Sequence, residues 1–129
     1  MRRLEVDARP EQVAAVRRVA AAAARAAGLP GHRVDDVALC VSELASMGVQ
    51  HARTGGPGTL RMRIDERHDG LRVAVHDTGP PAGAATGADV LDPAIGLALV
   101  LQLADRVDVV PANDGTEVRL RFTPARRRP

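Results

Sequence analysis

The sequence predicts an α+β fold, a two-layer sandwich in which helices cover one face of a mostly antiparallel sheet. Two observations predict it. Residues 34–52 carry apolar side chains at three- and four-residue steps, the period of an amphipathic helix. Two pairs of runs instead alternate apolar and polar side chains around a glycine-containing turn, which is typical of β-hairpins. The apolar alternating positions are Leu60, Met62 and Ile64; Leu71, Val73 and Val75; Val118, Leu120 and Phe122.

Length and charge limit the function classes. A chain of 129 residues is long enough for one core, so we expect one domain over 1–124 and a disordered basic tail over 125–129. Lys plus Arg number 18 against 16 Asp plus Glu, and Phe122 is the lone aromatic residue. This near balance, without aromatic side chains for base stacking, argues against direct nucleic-acid binding.

The compartment follows from cysteine usage and apolar runs. The single cysteine, Cys40, has no intramolecular disulfide partner, which favours a reducing compartment. Acidic residues follow Met1 closely where a signal peptide would be apolar, and no run is long enough to span a bilayer. We therefore expect a cytoplasmic protein without a membrane partner.

The first elements are a strand over 3–6 and a helix over 11–27. Pro10 suits the first helical turn and Gly28 the end of the helix. The block Ala20–Ala24 favours helix and has little bulk, which indicates close packing against a neighbour. Any exposed apolar surface on this helix is a candidate partner or homodimer face.

The long amphipathic stretch carries two sets of side chains. The apolar stripe that predicts a buried face consists of Val34, Val37, Val41, Leu44 and Gly48. A different side carries Asp36, Cys40, Glu43, Met47 and His51. Of these, Glu43, Met47 and His51 stack at i, i+4 and i+8. The spacing alone also fits an ordinary helix with a solvated charged face.

The rest of the chain alternates loops with short elements. Residues 53–58 are a loop by composition, and 78–93 lack periodicity, which is typical of a mobile lid or binding loop. The spacing of apolar residues over 93–104 predicts a helix. The last predicted hairpin has its turn at Asn113-Asp114-Gly115. The apolar side of that helix is expected to hold Leu97, Val100, Leu101 and Ala104.

The segment Ser42-Glu43-Leu44 through His51-Ala52 resembles the N-box helix of the histidine-kinase-like (GHKL, Bergerat-fold) ATPases. The resemblance is closest to the bacterial anti-sigma-factor serine kinases. It implies that Glu43 is the catalytic base. It also implies ATP as cofactor, and a sigma factor or an anti-anti-sigma-type protein as partner.

Three further segments resemble this family's nucleotide-binding motifs, in the family's order. Val75–Gly79 resembles the G1 box, which implies that Asp77 accepts a hydrogen bond from the adenine amine and that Gly79 lets the backbone approach the base. Ala94–Val100 resembles the G2 box through Gly96 and Leu97. Gly115-Thr116 resembles the G-T pair that helps to fix the aspartate.

Each of these residues also has a purely structural interpretation. Asp77 fits turn chemistry, Gly96 fits helix packing, and Thr116 fits the start of a hairpin strand. His76 is expected to be a solvent-facing strand residue.

The sequence departs from the family at Met47, where the magnesium-binding asparagine is expected. A thioether is a poor ligand for a hard cation, and neither Ser46 nor Gln50 stands at the position that would replace it. Pro81 and Ala94 also argue against a well-formed phosphate lid.

Three interpretations remain: an active or weakly active ATP-dependent serine kinase, a degenerate protein-binding module of the same fold, or an α+β domain with an accidental resemblance. We expect a residual adenine pocket and poor or absent magnesium-dependent catalysis.

Overall fold

The structure is a computed structural model that describes residues 1–55, 58–78 and 97–125, except for the side chains of 53–55. It has the predicted α+β architecture, with helices packed on one face of an antiparallel sheet. The strands are β1 (Arg2–Asp7), β2 (Thr59–Arg67), β3 (Gly70–Asp77), β4 (Arg106–Ala112) and β5 (Gly115–Phe122). The helices are a 3-10 turn (Pro10–Gln12), α1 (Val13–Ala26), α2 (Gly31–Gly55) and α3, whose described residues are 97–103.

The five strands lie in the order β1-β2-β3-β5-β4, and every neighbouring pair is antiparallel. The third strand is therefore central, and its last residue is Asp77. In the register, Asp77 lies between Leu60 of β2 and Thr116 of β5. The sequence motif at Asp77 is thus held by strands on both sides.

Helix α1 packs its alanine block into the core. Ala20, Ala21, Ala23 and Ala24 are all buried, so the predicted close packing is confirmed. A partner or homodimer face on the exposed side of this helix stays a prediction. The helix ends as Gly28 predicts: the Gly28 N–H donates to the Arg25 carbonyl, and the Leu29 N–H to the Ala24 carbonyl. These two bonds form a Schellman motif.

Helix α2 buries the predicted stripe and is longer than predicted. Val34, Val37, Val41 and Leu44 are nearly inaccessible, and Gly48 is also buried. Two details differ. Cys40 was placed on the other side of the helix but is fully buried, because the core covers more than one narrow stripe. Residues 53–55, predicted as loop from their composition, continue the helix.

Helix α3 is partly as predicted. Val100 and Ala104 are buried, but Leu101 is 58% exposed because it points away from the sheet. Residues 93–96 of the predicted helix and 79–93 of the predicted loop lie outside the described residues, as does the basic tail over 126–129. None of the helices within the described ranges combines the length and the apolar character that a bilayer-spanning segment requires.

A fully buried arginine joins the start of α2 to the ends of α3 and β5. The Arg33 guanidinium donates to Asp36 at 2.8 Å and to Asp105 at 2.6 Å. It also donates to the carbonyl oxygens of Leu103, at the end of α3, and Thr123, just after β5. The carboxylate of Asp105 in turn accepts from the N–H and the hydroxyl of Thr123. This network fixes the helices relative to the sheet.

The other face of the sheet is charged, as the hairpin alternation predicts. Arg61 and Arg63 of β2, Arg72 of β3 and Arg119 of β5 alternate with the buried residues of their strands. His76 lies on this open face too, but its side chain is only 12% exposed and its Nε2 lies 3.2 Å from Oδ1 of Asp114. His76 therefore lies on the face of the sheet that was expected. Its side chain, however, is mostly buried instead of solvent-exposed.

Candidate nucleotide site

Asp77 faces the helices from the end of the central strand. It alternates with Val73 and Val75, which are buried against the helical layer, so the strand period turns its side chain to that same face. Its side chain is 13% exposed. The carboxylate thus lies between the sheet and the helices and is mostly buried.

Gly48 lets α2 approach Asp77 closely. A Cβ atom at position 48 would lie 3.0 Å from Cβ of Asp77 and would overlap the end of the Leu60 side chain. Ordinary side chains at this helix position would push α2 away from the ends of β2 and β3. The glycine that sequence analysis placed in the apolar stripe therefore sets the distance between the helix and the predicted adenine-binding aspartate.

Gly115 and Thr116 hold Asp77 from the β5 side. Gly115 has φ of 153°, and a Cβ there would overlap the backbone carbonyl of Asp77. Thr116 is the register partner of Asp77, and it alternates with the buried Val118, so it faces the helices as well. The structure brings the two predicted motifs together at one end of the sheet.

His51 approaches Asp77 from α2. Its Nδ1 lies 3.4 Å from Oδ1 of Asp77, and its side chain is 18% exposed. The hydrogen bond to Asp77 raises the pKa of His51 above its ordinary value; burial opposes this, and the negative charge of Asp77 adds to it. Sequence analysis placed His51 in the row with Glu43 but did not predict this contact. The spacing between the two motifs gave no signal for it, since they are 26 residues apart.

The chain just beyond Asp77 is also held in place. The Thr78 N–H donates to the Thr59 carbonyl at 3.2 Å, and the Thr59 N–H donates to the Thr78 hydroxyl at 2.8 Å. These bonds continue the β2–β3 pairing past the end of β3. Asp77 is thus held by the backbone on both sides of its position.

Glu43 lies on the same helix as the residues that meet Asp77. It is half-buried and five positions before Gly48, which corresponds to about 7.5 Å along the helix axis. It belongs to the row that ends at His51, the residue in contact with Asp77. Its role as catalytic base stays a prediction.

Met47, between Glu43 and His51 in this row, is partly buried and packs against the core. Its side chain therefore serves packing, and it offers no oxygen where the resemblance implies a magnesium ligand. Among the described residues, position 47 therefore does not fit the magnesium ion that the resemblance implies.

The remaining predicted site residues are only partly described. Leu97 is half-buried at the first described position of α3. Gly79 and Gly96 lie outside the described residues, and so do Pro81 and Ala94. The assignments of Gly79, Gly96 and Leu97 to nucleotide binding therefore stay predictions.

Comparison with known proteins decides the family. The sequence matches the histidine kinase-like ATPase domain over residues 6–122, which is nearly the whole chain. The chain belongs to this family. A histidine kinase-like ATPase domain accounts for the order of the elements and for the motifs that meet at Asp77.

Two relatives are informative. The domain is 28% identical over 133 residues to the serine-protein kinase RsbW of Bacillus pumilus, covering 91% of this chain and 82% of that protein. It superimposes with a TM-score of 0.58 on the histidine kinase domain of the Erythrobacter litoralis EL346 blue-light activated histidine kinase. That match is 23% identical and covers 87% of this chain and 60% of the other, so it supports the fold alone.

Proposed function

We propose that this histidine kinase-like ATPase domain binds ATP and acts in the cytoplasm as a transcription regulator of the anti-sigma-factor serine kinase type. The observation that carries the proposal is the position of Asp77. Its carboxylate faces the helical layer at the end of the central strand, where Gly48, His51 and Thr116 converge. The similarity to a serine-protein kinase also supports the proposed kinase type.

The proposed role of Asp77 follows from its chemistry. An ionised carboxylate only accepts hydrogen bonds, so it favours the exocyclic amine of adenine and repels the carbonyl that guanine presents at that position. A hydrogen bond to a charged group contributes about 1.5–3 kcal/mol. Thr116, beside Asp77 on β5, would support this carboxylate, while Gly79, Gly96 and Leu97 would line the rest of the nucleotide site.

Phosphoryl transfer is proposed to be weak. Glu43 would act as the base toward an attacking hydroxyl. Met47, however, packs against the core and supplies no oxygen ligand for magnesium. Loss of a ligand in direct contact with a metal ion costs at least the roughly ten- to a hundredfold that is typical of an outer partner. The protein would then act mainly through its partner, a sigma factor or an anti-anti-sigma-type protein.

Met47 also favours a second candidate function, a nucleotide-independent protein-binding module that retains the fold. In that case Asp77 and His51 would form a structural pair and the domain would bind its partner whether or not ATP is present. The two functions differ in one property, the affinity for adenine nucleotides.

Isothermal titration with ATP and ADP, each with and without magnesium, separates these candidates. The proposed function predicts micromolar to millimolar binding of both nucleotides, with little change on addition of magnesium. Absence of binding at any accessible concentration would leave only the nucleotide-independent module. Tight magnesium-dependent binding of ATP with turnover would overturn the proposal of weak catalysis.

The Met47→Asn variant gives the converse test. Restoring an amide oxygen at this position is expected to increase the affinity for ATP in the presence of magnesium but not in its absence. The matched control is Met47→Leu, which keeps an apolar side chain of similar size and should behave like the wild type. If Met47→Asn gains no magnesium dependence, the missing ligand is not the main defect of the site.

A further inference from the structure

The open face of the sheet, opposite the helices and the nucleotide site, contains an arginine-rich groove. It encloses about 470 Å³ above Ala74 of β3. Its lining includes six arginines and two aspartates: Arg63, Arg67, Arg72, Arg106, Arg119 and Arg121, with Asp65 and Asp108. The whole chain has a formal charge of only +2, so positive charge is concentrated here.

Three of these arginines lie side by side across adjacent strands. In the register, Arg72 of β3 lies opposite Arg121 of β5, and Arg121 lies opposite Arg106 of β4. Neighbouring strands are about 4.8 Å apart, and like charges directly opposite each other destabilise a sheet. Asp65 lies opposite Arg72 on β2, and the carboxylate partners of Arg121 and Arg106 also offset part of this repulsion. An anionic partner would relieve it further.

Two arginines of this row, and Arg67 beside it, already have carboxylate partners. Arg121 donates to Asp69 at 2.6 Å, Arg106 to Asp108 at 3.0 Å, and Arg67 forms an ion pair with Asp65 at 2.8 Å. Among the residues that the structure describes, Arg72 at the centre of the face forms no ion pair.

Glu117 accepts hydrogen bonds from two arginines at once. It accepts from Arg63 at 2.7 Å and from Arg119 at 2.6 Å. Burial raises the pKa of Glu117, but the hydrogen bonds from Arg119 and Arg63 outweigh it, and the pKa lies below its usual range. Two guanidinium groups thus share one carboxylate, so the groove has fewer carboxylates than cations.

We propose that this groove binds an acidic segment of a partner polypeptide. Arginine forks match carboxylates in bidentate geometry, and arginine–carboxylate pairing is already the chemistry of this face. In an extended segment, alternate side chains point the same way, so a strand with acidic residues at every second position would turn its carboxylates onto the arginine row.

Two other occupants fit the groove less well. A nucleic-acid strand carries closely spaced charges that would meet Asp65, Asp108 and Glu117, and the lone aromatic residue, Phe122, is buried and offers no stacking surface. A second copy of this chain placed face to face would bring two arginine rows together. The acidic polypeptide is the occupant whose charge is complementary.

The test measures fluorescence anisotropy of a labelled short peptide in which Glu alternates with Ser. The peptide is titrated with the 129-residue protein at low and at physiological salt. The comparison probes are the matching peptide with Gln in place of Glu and a single-stranded DNA of the same net charge. Arg72→Glu is the test variant. Arg18→Glu, an equal charge change at an exposed position of α1, is the control.

We expect the Glu peptide to bind more tightly than the Gln peptide and the DNA, with an affinity that falls as salt rises. Arg72→Glu should weaken binding about tenfold or more, and Arg18→Glu less than about twofold. Ala74→Gln narrows the groove without changing its charge and should also weaken binding of the Glu peptide. It replaces Arg72→Glu as the test variant if Arg72→Glu does not fold.

Equal losses in Arg72→Glu and Arg18→Glu would show only a general charge effect and overturn the proposal. So would equal binding of the Gln peptide, or no binding of the Glu peptide by the wild type. Tighter binding of the DNA that is lost in Arg72→Glu would assign the groove to nucleic acid instead.

Discussion

Nδ1 of His51 lies 3.4 Å from Oδ1 of Asp77, and this contact joins the long helix α2 to the end of the central strand. Both side chains are mostly buried. The contact links the N-box segment to the G1 segment, two motifs that the sequence places 26 residues apart. A residue that sequence analysis placed only in a helical row is therefore a direct neighbour of the predicted adenine-binding carboxylate.

This contact predicts a pH dependence of stability. The pKa of His51 is raised in the folded protein above the ordinary value of 6.5. The stabilisation is therefore fully present below that ordinary value and is lost as pH rises through the raised pKa. Urea unfolding at about pH 6 and about pH 8 should show that the wild type loses more stability over this interval than His51→Gln does.

Subtracting the two pH profiles isolates His51, because every other residue is the same in both proteins. If the wild type and His51→Gln lose equal stability between the two pH values, the proton on His51 is not coupled to folding.

Replacing Gly48 by alanine should destabilise the domain and displace Asp77. The added Cβ would lie 3.0 Å from Cβ of Asp77 and overlap the buried Leu60. Overpacking of this kind costs about 1–3 kcal/mol, partly offset by the better helix propensity of alanine, so we expect about 1–2 kcal/mol net. Thermal or urea unfolding of the variant and the wild type measures this loss of stability.

Gly31→Ala is the matched control, since a Cβ there would meet nothing within 4 Å. It should leave stability unchanged or slightly higher. A Gly48→Ala protein as stable as Gly31→Ala would mean that α2 does not need the close approach to β3.

Removing the buried arginine should have the largest effect on stability. Arg33→Met leaves the carboxylates of Asp36 and Asp105 without their guanidinium partner. Breaking a buried pair from one side costs about 3–5 kcal/mol, a large part of the roughly 5–15 kcal/mol of a typical domain. Denaturant unfolding of Arg33→Met against Arg18→Met, at an exposed site, gives the comparison.

An exposed substitution such as Arg18→Met should stay within about 0.5 kcal/mol of the wild type. A loss below about 1 kcal/mol for Arg33→Met would contradict the assigned role of the network.

Periodicity predicted the fold because each element buries one face. The α2 stripe from Val34 to Gly48 and the alternating apolar residues predicted for β2, β3 and β5 form the core with the expected orientation. The fourth hairpin strand, β4, contributes less, since Val109 is 48% exposed. Where periodicity gave the wrong burial, the packing of the helices on the sheet determined which side chains are covered. Leu101 fits the helical period of α3 but lies beyond the edge of the packed surface, and Cys40 is covered by a core wider than the stripe.

Local sequence could not predict contacts between distant segments. The partners of Arg33 at Leu103, Asp105 and Thr123 are 70, 72 and 90 residues away, so nothing near Arg33 indicated that it is buried. The family resemblance implied that Thr116 helps to fix Asp77, and the register of β3 and β5 makes these two residues direct neighbours. The contact of His51 with Asp77 and the glycine at position 48 required the packing of α2 on the sheet.

The central claim is that Asp77 recognises the adenine amine, and the most direct measurement compares ATP with inosine triphosphate, which carries a carbonyl in place of that amine. Calorimetry without magnesium on the wild type and on Asp77→Ala isolates this group from phosphate and metal effects. We predict that the wild type binds ATP about tenfold or more tightly than inosine triphosphate, and that Asp77→Ala loses this preference. Equal affinity of the wild type for both nucleotides, or an undiminished preference in Asp77→Ala, would contradict the account.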